Sequence, residues 1–242
     1  MKKITLFAAA FLTVAVNAQD KVTKTVAELC NYIDFQALYE ADNTLKDQIG
    51  TSSQAVELPN GTLLWGYKKA DDSEAQFQWN VKDTYNTAIP LKNFAGVDTI
   101  KAGTMWRAAS GLRMELGDFN VVSAGKIQVF FQPNGDSERG VSITIGSANP
   151  VEFTGSGVKE NGIRPAYVAE LDLPVGSYPS GEVVITLITN TSNIFGVNIV
   201  GFSGNGLENL NVEFKARKVI ENGQVYIIKN GIRYTMLGTI AE

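Results

Sequence analysis

The sequence predicts an all-β protein: a β-sandwich or jelly roll with a short N-terminal helix and a small C-terminal three-stranded hairpin module. From residue 62 onward apolar and polar residues alternate, as in strands with one buried face. Glycine, asparagine or proline separates these segments, and the chain contains 23 glycines. No long segment with helical spacing lies between the strands, which favours two packed sheets over an α/β fold.

Residues 1–18 have the pattern of a signal peptide. Lys2 and Lys3 precede an apolar run from Ile4 to Val16, and Val16-Asn17-Ala18 offers small residues for cleavage. The run is shorter than the roughly 20 residues that span a bilayer as a helix. We therefore expect cleavage after Ala18 and export of a chain without a transmembrane segment. The periplasm, the outer-membrane surface and the extracellular space all remain open as destinations.

Residues 19–61 are predicted to form a helix and a lead-in to the sandwich. Thr25 and Glu28 have the spacing of a capping box, in which a threonine is followed three residues later by glutamate. One helical face then carries Val26, Leu29, Cys30 and Ile33. We expect a helix over about residues 25–33. Cys30 is the chain's one cysteine, so no intrachain disulfide forms, and we expect its thiol to be buried.

The sandwich is predicted to occupy residues 62–216. Its strands are expected at 62–68, 76–81, 112–116, 127–131, 141–145, 166–173, 182–189, 194–202 and 210–215. In the first strand the alternation places Leu63, Trp65 and Tyr67 on the core face. In the second strand, at residues 76–81, the same alternation predicts that Trp79 faces the core. The 182–189 segment is almost entirely apolar, which is typical of a central strand.

Residues 217–242 are predicted to form a separate tail. Three short strands, at Arg217–Glu221, Gln224–Lys229 and Ile232–Leu237, are separated by two Asn-Gly pairs. Asn-Gly is the strongest short hairpin signal, because both central positions of a type I′ turn need a positive φ. We place the boundary near residue 216.

Composition excludes several classes of function. The chain contains no histidine, which rules out Ser-His-Asp and Cys-His catalysis and histidine-ligated zinc. Its formal net charge is −4 and no basic cluster is visible, which argues against nucleic-acid binding. Glycosidases with paired carboxylates, and lyases that use lysine or arginine as a base, remain open.

Trp106 and Arg107 are the first candidate ligand-binding residues. They lie in a stretch of small residues bounded by Gly103 and Gly111, which we interpret as a loop. An exposed indole there would stack on the C–H face of a sugar ring, and Arg107 would bind its hydroxyl groups. The alternative is an edge-strand tryptophan that covers the core.

Two polar loops supply the remaining candidates. The 132–140 loop offers Asn134, Asp136 and Arg139 to sugar hydroxyls, or is a plain solvated hairpin loop. Asp136 and Glu138 with backbone carbonyls also make this loop a candidate calcium site. Apart from this calcium, no cofactor is expected. In the 155–165 loop, Arg164 precedes a proline and so has extended backbone, and it would clamp a uronate carboxylate. The alternative interpretation is that the Arg164 side chain forms an ion pair with a nearby carboxylate.

Two parts of the chain resemble known families. The tail from Val219 to Gly238 resembles a C-terminal module of proteins secreted by Gram-negative gut anaerobes, which implies a sorting or surface-attachment role. The central part, roughly 57–203, resembles β-sandwich accessory domains of polysaccharide-degrading proteins from the same bacteria. The segments that carry this second resemblance are Leu63–Tyr67, Gly103–Arg107, Phe130–Gly140 and Gly155–Tyr167.

The second resemblance implies a fold like that of a carbohydrate-binding module, with a plant-type, pectin-like polysaccharide as one ligand. We expect a secreted, non-catalytic carbohydrate-binding protein that associates with the cell envelope through its tail. Two alternatives stay open: a structural or adhesive surface protein, and a polysaccharide lyase or its accessory subunit.

Overall fold

The computed structural model describes residues 21–41, 50–75, 78–81, 88–102, 104–203, 217–221, 224–229 and 232–235. The predicted signal peptide and the predicted strand at 210–215 lie outside the described residues. No helix among the described residues is long and apolar enough to cross a membrane.

Two β-sheets form the body of the protein, and the predicted all-β sandwich is confirmed. The larger sheet has ten strands: β1 (Thr23–Thr25), β2 (Ile33–Asp34), β7 (Gln78–Val81), β8 (Ile89–Lys92), β9 (Thr99–Lys101), β10 (Thr104–Ala108), β12 (Phe119–Pro133), β15 (Ala166–Leu173), β16 (Gly176–Tyr178) and β18 (Ser192–Ser203). The smaller sheet has six: β3 (Val56–Glu57), β4 (Leu63–Trp65), β11 (Arg113–Glu115), β13 (Arg139–Ile145), β14 (Val151–Gly155) and β17 (Val183–Ile188).

The order of strands in the larger sheet is β1-β9-β8-β15-β12-β18-β10-β7, with β16 paired to β12 and β2 paired to β18. The smaller sheet runs β14-β13-β17-β11-β4-β3, so β17 has neighbours on both sides, as its apolar sequence predicts. A two-stranded ribbon joins β5 (Tyr67–Lys68) to β6 (Glu74–Ala75).

The main core lies between the two sheets. Alternate residues of β11, β12, β13 and β17 enter it and are fully buried; they are Met114, Ile127, Val129, Phe131, Val141, Ile143, Val183, Ile185 and Leu187. In β11, β12 and β13 these are the apolar residues that recur at every second position in the sequence, so the core face of these three strands is correctly predicted.

A second core lies on the opposite face of the larger sheet. Phe130 alternates with the inward-facing Val129 and Phe131, so it points to that face, where it packs with Val168 and Phe195. Val26 of helix α1 (Val26–Leu29) packs with these side chains, as do buried residues of β8 and β9, which belong to the same sheet. The second core thus forms where the N-terminal helix meets the larger sheet.

Helix α1 begins where the capping box predicts. The Thr25 hydroxyl accepts a hydrogen bond from the Glu28 backbone N–H at 3.3 Å, and a Glu28 carboxylate oxygen accepts from the Thr25 N–H at 2.8 Å. The helix ends at Leu29, four residues earlier than expected, because Cys30 is extended. The Asn31 side chain instead pairs with the backbone of Ile199, at 2.8 Å to both its N–H and its carbonyl.

A second helix, α2 (Phe35–Ala41), was not predicted. Asp34 caps its start by accepting hydrogen bonds from the backbone N–H groups of Gln36 and Ala37. The pKa of the Asp34 carboxyl is raised, mainly because the group is buried. As predicted, Cys30 is buried, and burial raises the pKa of its thiol well above its usual range.

The capping box makes stability depend on pH. The hydrogen bond from the Thr25 backbone, with smaller contributions from the Lys24 and Thr25 side chains, lowers the pKa of Glu28 from 4.5 to about 2. A carboxylate with a depressed pKa stabilises the fold above its unfolded value and loses that contribution as the pH falls through its folded value.

We therefore expect Glu28→Gln to be less stable than the wild type above about pH 5, with the difference vanishing near pH 2. Urea unfolding midpoints measured across this range check the prediction. Glu40→Gln, on an exposed position of α2, is the control. A Glu28→Gln difference that stays constant with pH would contradict the assignment.

The C-terminal strands are placed as the Asn-Gly pairs predict. β19 (Arg217–Glu221), β20 (Gln224–Lys229) and β21 (Ile232–Thr235) pair antiparallel in a sheet of their own. The Asn-Gly residues themselves, and Met236 and Leu237, lie outside the described residues. The domain boundary near residue 216 stays a prediction.

Candidate functional site

Trp106 is a core residue, and the prediction that it lies on an exposed loop is wrong. It is in strand β10, which pairs with β7 on one side and β18 on the other. Its side chain is 1% exposed, and its ring stacks on Phe35 of helix α2 with centroids 5.2 Å apart. Because the glycine-bounded stretch is an interior strand, alternation turns Trp106 inward, and the sugar-stacking role assigned to it is withdrawn.

Arg107 points the other way and is exposed. It pairs across the sheet with Asn193, which in turn pairs with Gln132, and both of these side chains are buried. The Asn193 amide donates to Gln132 Oε1 at 3.4 Å, and the Gln132 amide donates to the Arg164 carbonyl at 2.7 Å. Arg107 makes no ion pair with any residue that the structure describes.

The two predicted loops meet at this end of the sandwich. Arg164 Nη2 lies 2.7 Å from Asp136 Oδ1, which is the local ion pair that sequence reasoning offers as the alternative for Arg164. Arg164 Nε is buried and has no hydrogen-bond partner in the part of the chain that the structure describes. We call Arg107, Gln132, Asp136, Arg164 and Asn193 the arginine rim.

Arg139 and Asn134, the other predicted ligand residues, hold the neighbouring turn. Arg139 Nη1 and the Asn134 backbone N–H both donate to the Thr191 carbonyl, at 2.9 and 3.0 Å. Arg139 Nε also donates to Ser137 Oγ at 3.2 Å. The guanidinium of Arg139 is therefore occupied by the protein itself.

The carboxylates proposed for calcium are also engaged. Asp136 pairs with Arg164, and Glu138 accepts a hydrogen bond from the Thr154 hydroxyl. Within the described ranges, no three histidine, cysteine, aspartate or glutamate residues are grouped as a metal site would need.

The turn that Arg139 holds is strained. Thr189 and Asn190 have φ values of 49° and 65°, and a β-branched residue at positive φ is an outlier. Such strain costs on the order of 1–3 kcal/mol and persists where the surrounding structure imposes it.

We expect Thr189→Gly to raise the free energy of unfolding by about 1 kcal/mol, because glycine adopts positive φ without a steric penalty. Thermal or urea unfolding measures the gain. Asn190→Gly serves as the comparison and should gain less, since asparagine tolerates this conformation better. A stability loss in Thr189→Gly would show that its side chain contributes more than the strain costs.

A second surface lies on the outer face of the smaller sheet and was missed by sequence reasoning. Leu64, at 3% exposure, is the core residue of β4, so Leu63 and Trp65 face outward and are half-buried, which corrects the predicted phase. Trp65 pairs with Arg113 of β11. The guanidinium carbon of Arg113 lies 5.1 Å from the centroid of the Trp65 ring, and its Nε is 3.1 Å from Glu115.

Tyr67 extends this surface, because it lies two residues after Trp65 and packs against Gly111, two residues before Arg113. It was also predicted to face the core, but it is 45% exposed. A Cβ added at Gly111 would lie only 2.8 Å from Cγ of Tyr67, so the ring packs directly against the bare backbone of Gly111. This contact fixes the ring in place while much of it remains accessible to solvent.

We call Trp65, Tyr67, Arg113 and Glu115 the aromatic platform. Register continues it to Thr186, which pairs with Arg113 and is half-buried, whereas the next residue in register, Ser142, is buried. The platform combines aromatic surface with a guanidinium, a carboxylate and the Thr186 hydroxyl. The side chain of the third tryptophan, Trp79, lies outside the described residues.

The fold and these two surfaces define an all-β sandwich with an exposed aromatic platform on one sheet and an arginine rim on the other.

No protein-family model and no curated protein matches the chain. Some solved structures align with it weakly. TmCBM61 in complex with β-1,4-galactotriose is 9% identical, with 71% of this chain and 98% of that chain covered and a TM-score of 0.34. The C-terminal CBM6 of the laminarinase LamC from Zobellia galactanivorans is 16% identical, with 51% and 98% covered and a TM-score of 0.31.

An exo-β-1,3-galactanase from Phanerochaete chrysosporium is 13% identical, with 55% of this chain covered and a TM-score of 0.30. The present chain covers 28% of that enzyme. Likenesses at this level define neither the family of the chain nor its ligand, so its function has to be argued from its own surfaces.

Proposed function

We propose that the protein is an exported, non-catalytic carbohydrate-binding protein that holds a polysaccharide on the aromatic platform. The observation that carries the proposal is Tyr67, an exposed aromatic ring held against Gly111, beside Trp65 and Arg113. A large exposed aromatic surface fixed in one position is what stacking on a sugar ring requires.

Polar groups beside the rings supply orientation. Each sugar hydroxyl both donates and accepts, and the platform offers Arg113 as donor, Glu115 as acceptor and Thr186 as both. Arg113 is held in place by its ion pair with Glu115 and by the Trp65 ring, so little side-chain freedom remains to be lost on binding.

Titration calorimetry of the intact protein against a panel of plant and microbial polysaccharides tests the proposal. Tyr67→Ala should weaken binding about tenfold, or about 1.4 kcal/mol, whereas Tyr67→Phe keeps the ring and should bind like the wild type. A wild-type protein that binds no glycan, or a Tyr67→Ala variant of unchanged affinity, would refute the platform.

The arginine rim favours a second ligand, the acidic, pectin-like polysaccharide that the resemblance implies. Arg107 is exposed and has no ion-pair partner among the described residues. Arginine binds carboxylates in bidentate fashion. Binding of polygalacturonate that Arg107→Gln abolishes and Tyr67→Ala leaves intact would place this ligand at the rim.

The two other functions give different results in the same experiments. A polysaccharide lyase would release unsaturated products from polygalacturonate, seen as rising ultraviolet absorbance. An adhesive surface protein would retain a protein partner and no glycan. Association with the cell envelope through residues 217–242 is tested by fractionating cells that express the chain with and without this tail.

A further inference from the structure

We infer that the aromatic platform takes an uncharged glycan and discriminates against polymers that carry carboxylate or sulfate groups. The inference rests on the proposed function and concerns the chemical class of its ligand. It follows from the charges on the face of the smaller sheet that carries the platform.

The strands of this outer face carry three carboxylates and one guanidinium: Glu57, Glu115, Glu152 and Arg113. Each position follows from an inward-facing neighbour in the same strand. Val56, Met114 and Phe153 pack on the main core, so Glu57, Glu115 and Glu152 point away from it. The carboxylate of Glu138 adds to this charge, because it bonds to Thr154 on the same face.

Arg113 does not offset this excess. Its Nε is 3.1 Å from Glu115, and its guanidinium carbon lies over Trp65, so its charge is already paired. At physiological ionic strength, salt largely screens exposed charges that lie more than about 8 Å apart, so the carboxylates closest to the rings matter most. A carboxylate or sulfate that docked on Tyr67 or Trp65 would lose water and approach Glu115, and the described strands of the smaller sheet offer it no unpaired cation on this face.

Sugar hydroxyls suit the same groups well. Glu115 accepts hydrogen bonds, the Nη groups of Arg113 donate them, and the hydroxyl of Thr186 does both. Trp65 on β4 and the exposed Glu152 on β14 lie four strand spacings apart, about 19 Å at the usual strand spacing. The face is therefore wide enough for several sugar units rather than a single monosaccharide.

The arginine rim differs from the platform because one of its arginines is not paired with a carboxylate of any described residue. The rim therefore serves as a second site, on the same protein, against which binding to the platform can be compared. Asp136 is the carboxylate that pairs with Arg164, and Arg107 has no such partner in the described part of the chain. Arg107 and Arg113 are thus two exposed arginines on different sheets, and of the two only Arg113 is paired with a carboxylate among the described residues.

Three matched pairs of polymers test the inference: hydroxyethyl cellulose with carboxymethyl cellulose, β-1,4-galactan with polygalacturonate, and laminarin with laminarin sulfate. Affinity electrophoresis of the full chain should show retention by a neutral member that Tyr67→Ala removes and Arg107→Gln leaves intact. Its charged partner should bind the platform at least about tenfold more weakly. Glu115→Gln should narrow that gap, because it removes the carboxylate nearest the rings.

Tyr67-dependent binding that is stronger for the charged members, and that weakens with added salt, would overturn this inference while leaving the proposed function standing. If no neutral or charged member binds in a Tyr67-dependent way, the proposed function fails together with it. Circular dichroism of each variant confirms that the fold is retained.

Discussion

Replacing Trp106 with alanine is expected to destabilise the protein by about 3–5 kcal/mol, the usual cost of truncating a buried tryptophan. The side chain is 1% exposed and among the largest in the main core. Its stacking on Phe35 also attaches helix α2 to strand β10. Since domains of this kind are stable by about 5–15 kcal/mol in total, much of the margin would be lost.

Urea unfolding followed by circular dichroism measures this effect. Trp106→Phe keeps an aromatic ring in the same site and should cost clearly less, which makes it the matched control. The result also separates two roles for this residue, because an exposed sugar-stacking tryptophan would lose affinity without losing stability. A Trp106→Ala variant that unfolds within about 1 kcal/mol of the wild type would contradict the buried placement.

Replacing Gly157 with alanine should disrupt the end of the sandwich where the polar loops meet. A Cβ at this position would overlap the backbone carbonyl oxygen of Gly135, and backbone cannot move aside as a flexible side chain can. Overpacking of this kind costs about 1–3 kcal/mol. It would also push the 134–138 loop away and strain the ion pair between Asp136 and Arg164.

Gly176→Ala is the control for this prediction, because nothing lies within 4 Å of an added Cβ there. We expect Gly157→Ala to unfold at lower urea concentration and to be cleaved faster by protease within 134–165, with Gly176→Ala unchanged in both. Equal stability of the two alanine variants would mean that the loops accommodate the extra carbon.

Strand faces were predictable where one face alone is apolar. Met114 lies between Arg113 and Glu115, and the structure buries Met114, exposes Arg113 and leaves Glu115 half-buried. Val141 and Ile143 also face the core as the alternation predicts, although Ser142 between them is buried as well. These segments establish the sandwich, because a strand of this pattern needs a second layer over its apolar face.

The phase of β4 was not predictable from its sequence. Leu63, Leu64 and Trp65 are three consecutive large apolar residues, so either face fits the core and alternation does not choose between them. Pairing decides it, since Leu64 lies opposite Met114 and Trp65 opposite Arg113. A single-residue shift in phase is the difference between Trp65 in the core and Trp65 on the aromatic platform.

The candidate site was predictable only in part, because its residues come from distant segments. The polarity of the 132–140 and 155–165 loops was visible in the sequence, but the ion pair that joins Asp136 to Arg164 spans 28 residues and depends on strands β12 and β15 lying side by side. Trp106 was misplaced because small residues and glycines around it favoured a loop, whereas two flanking strands make that segment part of the sheet.

The placement of Tyr67 and Arg113 on a sheet face has a consequence for how a polymer would be recognised. Tyr67 is 45% exposed and Arg113 is exposed on strand β11, so the platform offers a polymer an open part of the sheet surface. An open face contacts interior stretches of a chain and does not require a reducing or non-reducing terminus. Several copies of the protein would then decorate one strand of polysaccharide, with their number set by its length.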